Sequence, residues 1–142
     1  MTVFANIVTA VVAVLSAGTP VSPNIFRARM RPIAAQHDTA VVVRLGPALP
    51  ERGDIGGAPV DFTTALAVEC YARSATTTPD LAADALLEAV YARLMADPSL
   101  GGTVMDINLT GIDPDFDEAI EKTACITLQL SVRHRASSTT LT

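Results

Sequence analysis

Residues 62–73 read FTTALAVECYAR and residues 120–133 read IEKTACITLQLSVR, and these two stretches decide the fold. In the first, Phe62, Thr64, Leu66, Val68, Cys70 and Ala72 alternate with Thr63, Glu69, Tyr71 and Arg73. In the second, Ile120, Lys122, Ala124, Ile126, Leu128, Leu130 and Val132 alternate with Glu121, Thr123, Cys125, Thr127, Gln129, Ser131 and Arg133. A two-residue period puts one set on each face of a half-buried strand. Between them lies TPDLAADALLEAVYARLMADP at 78–98. Thr78 suits an N-cap, Pro79 the first helical position and Asp80 the positive end of the dipole. Leu86, Leu87, Val90, Tyr91, Leu94 and Met95 continue a helix that Asp97-Pro98 stops. Gly101-Gly102 turns the chain into a strand over 104–112, and an acidic loop follows. One helix laid on this sheet buries a single apolar face of each element.

Upstream, residues 1–26 carry no charged side chain. A signal peptide needs a basic start, and a spanning helix needs about 20 apolar residues. Gly18-Thr19-Pro20 comes too early for the latter. Phe4, Ile7, Val8, Val11, Val12 and Leu15 recur at helical spacing, with Thr2, Asn6, Thr9 and Ser16 facing away. This predicts a core-facing helix from Met1 to about Ala17, closed by Gly18. A lipid-surface helix would need a Lys/Arg face that is missing. Ile25 to Met30 reads as a short strand with Arg27, Arg29 and Arg31 on one face. Such a stripe is either a solvated edge that blocks stray pairing or a contact for phosphate or a carboxylate-rich partner. Thr39 to Leu45 is Val-rich enough to be buried on both faces. GPALPERGDIGGAP, residues 46–59, reads as a long loop that is mobile in the free subunit and ordered against a neighbour. It holds Arg52 and Asp54. No phosphate-loop pattern fits it. The expected layout is one α+β domain over 1–135, with a mixed or antiparallel sheet of about five strands and two helices on one face. Phe4, Val8, Val11 and Leu15 should pack with Leu87, Val90 and Leu94 over Leu66, Val68, Leu128 and Leu130. The Ser/Thr-rich residues 136–142 are expected to be disordered.

The chain has 142 residues, is 49% hydrophobic and carries a net charge of −5, which disfavours a general nucleic-acid binder. Its two cysteines, Cys70 and Cys125, have no metal or redox spacing and read as reduced, packed thiols. His37 and His134 lack partners at metal or triad spacing and read as exposed. The run Asp113, Asp115, Asp117, Glu118, Glu121 departs from the calcium-loop pattern, which wants Gly at its sixth position, and reads as a solvated hairpin tip. Asp80, Asp84 and Glu88 form a surface stripe on the helix. No GxSxG elbow exists. No catalytic, cofactor-binding or metal residues are assigned, and no enzyme is expected.

The order helix, strand, strand, long Gly/Pro loop, strand, helix, strand, strand carries VVVRL at 41–45, LAVECYA at 66–72, the 78–98 helix and ITLQLSVRH at 126–134. This layout resembles the tail terminator proteins, minor tail proteins of the U type, of long-tailed bacteriophages. The resemblance covers about residues 1–135 and rests on layout, without a short diagnostic motif. The uncharged first helix and the long arm before the third strand depart from it. It implies a virion subunit, made in the host cytoplasm, that closes into a hexameric homo-oligomeric ring at the head–tail junction. The ring would cap the tail tube and meet the major tail tube protein and the head–tail connector or head-completion protein. DNA would pass through without sequence-specific binding, and no membrane is involved. A neck or head–tail joining protein is the near alternative, and a ligand-binding module on a ferredoxin-like sheet the one from another class. Arg27, Arg29 and Arg31, with Arg52 and Asp54 of the arm and Asp113, Asp115 and Asp117, are the interface candidates. Opposed charges of this kind fix register between copies.

Overall fold

The computed structural model describes residues 1–28, 38–51, 58–73, 78–117 and 123–142. The elements are α1 (Val3–Ser16), β1 (Ile25–Arg27), β2 (Thr39–Glu51), β3 (Val60–Arg73), α2 (Pro79–Met95), β4 (Asp106–Asp117) and β5 (Thr123–Ala136). The five strands form one sheet in the order β1-β2-β3-β5-β4. β1 runs parallel to β2, and every other pairing is antiparallel. The fold is α+β, with both helices on one face of a mixed sheet.

The alternation in the two deciding strands places the core. Leu66, Val68 and Cys70 of β3 and Leu128, Leu130 and Val132 of β5 are buried in one cluster. Val8, Val11 and Leu15 of α1 and Leu86, Val90 and Leu94 of α2 close over it, with Phe4 and Leu87 partly buried at its margin. β3 and β5 can be buried on that face and polar on the other because side chains alternate across a strand.

α1 begins two residues inside the expected start, capped by Thr2, whose hydroxyl accepts from the Ala5 N–H at 3.3 Å. Gly18 takes φ +61°, a left-handed conformation that glycine adopts without steric penalty. The helix has no basic residue in its own last turn. The Arg93 guanidinium of α2 serves instead, donating to the carbonyls of Val14 (3.1 Å), Ala17 (2.6 Å) and Thr19 (2.7 Å). These are carbonyls that a helix end and the chain leaving it cannot pair internally. Arg93→Ala is expected to lower stability by about 1.5–3 kcal/mol, the range for hydrogen bonds to a charged group, in urea unfolding. Arg93→Lys should recover only part, because a single ammonium cannot reproduce the fork. In α2, Thr78 occupies the N-cap without a side-chain capping bond; its hydroxyl bonds the Asp80 carboxylate, which is held below the usual range.

Three expectations change. The arm does not begin at Gly46: residues 46–51 continue β2, and 48–51 pair with 61–64. Pro47 and Pro50 are tolerated because no described strand flanks this half of β2, and the register shifts between Leu45 and Ala48. Gly46 sits in that bulge, where a Cβ would come within 2.9 Å of the Ala65 Cβ. Residues 52–57 of the expected arm lie outside the described set. Likewise, Asp113 to Asp117 are not a hairpin loop but the second half of β4, paired with 123–127. Pro114 fits there because β4 is an edge strand. Finally, His134 is not exposed. It follows the inward register of Val132 and is 1% exposed, its ring stacked on Phe62 and edge-on to Phe4. Beyond β5, the Leu141 carbonyl accepts the Val3 N–H at 2.7 Å, joining residues 137–142 to the start of α1.

Candidate functional site

Among the described residues no group of three or more His, Cys, Asp or Glu could hold a metal. The thiols are poor nucleophiles. Burial pushes the Cys70 thiol up to about 12 and raises that of Cys125 as well. Only a thiolate attacks, so both are quiet at neutral pH. His134 is held by a 2.6 Å contact between its Nε2 and the Thr64 hydroxyl, and its Nδ1 is buried without a partner. It belongs to the packing of the core margin. Sequence reasoning missed this, although the period of β5 carried the signal.

The charged candidates sit at the two margins of the sheet. β1 and β4 are its opposite edges. Four inter-strand spacings separate them, about 19 Å. Arg27 ends β1 on the helix-side face, because Ile25, two residues earlier, packs on the core. It is exposed, and its guanidinium also donates to Thr9 Oγ1 (2.8 Å) and the Ala5 carbonyl (3.3 Å) of α1. Arg44 lies on the opposite face and forms a 3.1 Å ion pair with Glu69. Arg29, Arg31, Arg52 and Asp54 lie outside the described residues.

On β4, Asp113 and Asp115 are exposed opposite Thr127 and Cys125, on the face without helices. Asp117 occupies the same register opposite Thr123, its side chain outside the described set. Asp113 and Asp115 are thus brought together by the two-residue period, while Arg27 is kept a full sheet width away. The helix-free face between them carries Ala65, Ala67, Gln129 and Ser131, crossed by the Arg135–Asp61 ion pair at 2.6 Å. Arg135 holds the Asp61 carboxyl below its usual range.

The structure adds one surface the sequence did not reveal. The helices cover β3 and β5 and bury Ile107 of β4, but leave the helix-side face of β4 open beyond it. Leu109, Ile112 and Tyr91 are all more than a third exposed, and Leu87 and Leu128 floor a groove between them. Asp84 and Glu88 of α2 form its rim. Leu109 and Ile112 stand three apart, which breaks strand alternation. A register shift between Leu109 and Gly111 returns both to the same face, opposite Leu130 and Leu128. That bulge is what concealed the patch.

No family model matches the chain, and no curated protein matches it. Among solved structures it is similar to a chain of the virion of a native gene transfer agent particle. The identity is 16% with a TM-score of 0.53, over 90% of this chain and 93% of that one. At this identity the likeness is one of fold.

Proposed function

We propose that this chain is a virion structural protein of a phage-like particle, and within that class a tail terminator. It closes head to tail into a hexameric ring that caps the tail tube and meets the head connector. The observation that carries the reading is a fold shared across nearly the full length of both chains with a subunit of a gene transfer agent virion. The charge distribution agrees with it. A head-to-tail contact joins two unlike patches, and repeating it closes a ring when the rotation permits. Here the edge that bears Arg27 and the edge that bears Asp113 and Asp115 are unlike patches at opposite margins of one sheet, Arg27 on the helix side and the carboxylates on the helix-free side. The far end of the long β2–β3 ladder, where Glu51 pairs with Asp61, contacts a neighbouring copy or the tube. The helix-free face carries small and polar side chains with the carboxylates of Asp113 and Asp115, which repel phosphate, and suits a surface past which DNA slides without binding.

The test is mass in solution, alone and with purified tail tubes. A ring that binds tube ends and blocks further tube growth is the expected result. A ring that binds only the head connector moves the protein to the neck. A monomer that retains a small ligand and ignores tubes ends the virion reading. Replacing Asp113 and Asp115 with Lys is expected to abolish assembly in ~0.15 M salt, where charges interact over roughly 8 Å. Assembly indifferent to that reversal would remove the acidic edge from the contact.

A further inference from the structure

We infer that the open groove between α2 and β4 receives the next copy of this chain, with Leu45 as the apolar side chain that enters it. The inference rests on the ring reading and names the contact that closes it. An exposed apolar patch rimmed by polar groups is one of the marks of a protein–protein contact. This one is formed by Leu109, Ile112 and Tyr91, with two carboxylates, Asp84 and Glu88, at its rim. An occupant must therefore bring an apolar group and a cation on the same face.

The opposite margin of the sheet carries both. Leu45 pairs with Leu66, so it points to the helix side, yet it is 37% exposed and stands outside the buried cluster. Arg27 lies on that same face, in register with Val43, two residues before Leu45 on β2. Its guanidinium has five N–H donors, and its two bonds to α1 leave others for carboxylates. Both margins also present strand backbone with no described strand beside it: β4 along its length and β2 beyond Val43. Setting the β2 margin of one copy beside the β4 margin of the next keeps helix side with helix side. Leu45 then continues the apolar layer of Leu109 and Ile112, and Arg27 approaches Asp84 and Glu88. Apolar burial supplies affinity, and the charges fix the register.

The experiment measures assembly of the full chain by analytical ultracentrifugation for wild type, Ile112→Glu, and Ile112→Glu combined with Leu45→Lys. Ile112 is half exposed, so a glutamate there should leave the melting curve unchanged. A Gln129→Glu variant, on the helix-free face, controls for added charge. Ile112→Glu is expected to weaken association roughly 30-fold, the effect of losing one interface anchor. The double variant should recover most of it, because each contact then pairs the new lysine with the new glutamate. If Ile112→Glu assembles like wild type, or the double variant stays as weak as the single one, the groove is not the contact. In either case a wild-type ring leaves the terminator reading standing. A wild type that stays monomeric, alone and with tail tubes, overturns both.

Discussion

Leu128→Ala is expected to lower the unfolding free energy by about 2–5 kcal/mol, the range for a large-to-small change in a packed core. Leu128 is fully buried near the middle of β5, opposite Val68 of β3 and Ile112 of β4. Strands on both sides hold its backbone, so the surroundings collapse little into the space left. Urea unfolding followed by far-UV circular dichroism measures the change. For a chain of this size each kcal/mol moves the melting midpoint by about 2–4 °C. Gln129→Ala, one residue on but exposed on the opposite face, should stay within about 0.5 kcal/mol. Equal effects from the two substitutions would mean that the faces of β5 are misassigned.

Mild acid is expected to destabilise the protein through His134. Burial lowers its pKa below the ordinary 6.5. The unfolded chain therefore binds a proton at a pH where the folded one does not. The associated stability is fully present above about pH 6.5 and is lost as pH falls toward the folded value. The slope approaches about 1.4 kcal/mol per pH unit, the limit for one proton bound only by the unfolded state. An imidazolium must donate from both nitrogens, yet Nδ1 faces no acceptor and Phe4 and Phe62 flank the ring. The described carboxylates with lowered values, Asp61, Asp80 and Asp97, act below their ordinary 3.8 and so in a separate window. His134→Leu should flatten the pH dependence just below pH 6.5 whatever it does to stability at pH 8. An unchanged slope in that variant would assign the acid sensitivity elsewhere.

The sheet and its helices were legible because burial is one-sided. In β3, Leu66 to Ala72 alternate without interruption, and in β5 Ala124 to Val132 do the same. Where alternation is interrupted, reading failed. Gly46-Pro47 and Pro50 signal a loop by local chemistry, yet an edge strand with a bulge accepts them, and pairing with β3 carries the chain on to Glu51. Asp113 and Asp115 look like a solvated tip, yet alternation with Ile112, Pro114 and Phe116 is itself a strand pattern once one face is free. The acidic character of β4 was therefore readable and its geometry was not. The groove beside it depends on where α2 ends up over β5, a tertiary relation that no local pattern encodes. His134 was misread by residue type, since its flanking residues Arg133 and Arg135 suggested water while the strand period pointed inward.

The central ladder also has a temporal consequence. β2 pairs with β3, and β4 with β5, across short connections, but β3 meets β5 only over long ones, from Arg73 with Thr123 to Val60 with Ala136. Closing such loops before they are rewarded slows folding. On the ribosome, at roughly 5–20 residues per second, β3 waits several seconds for its partner. During that wait the β2–β3 hairpin presents an apolar face and an unpaired edge, the combination that invites strand addition by another chain. β5 fills that edge once it has been made. Nascent chains stalled before Leu128 should therefore bind holdase chaperones, and chains extended beyond Ala136 should release them.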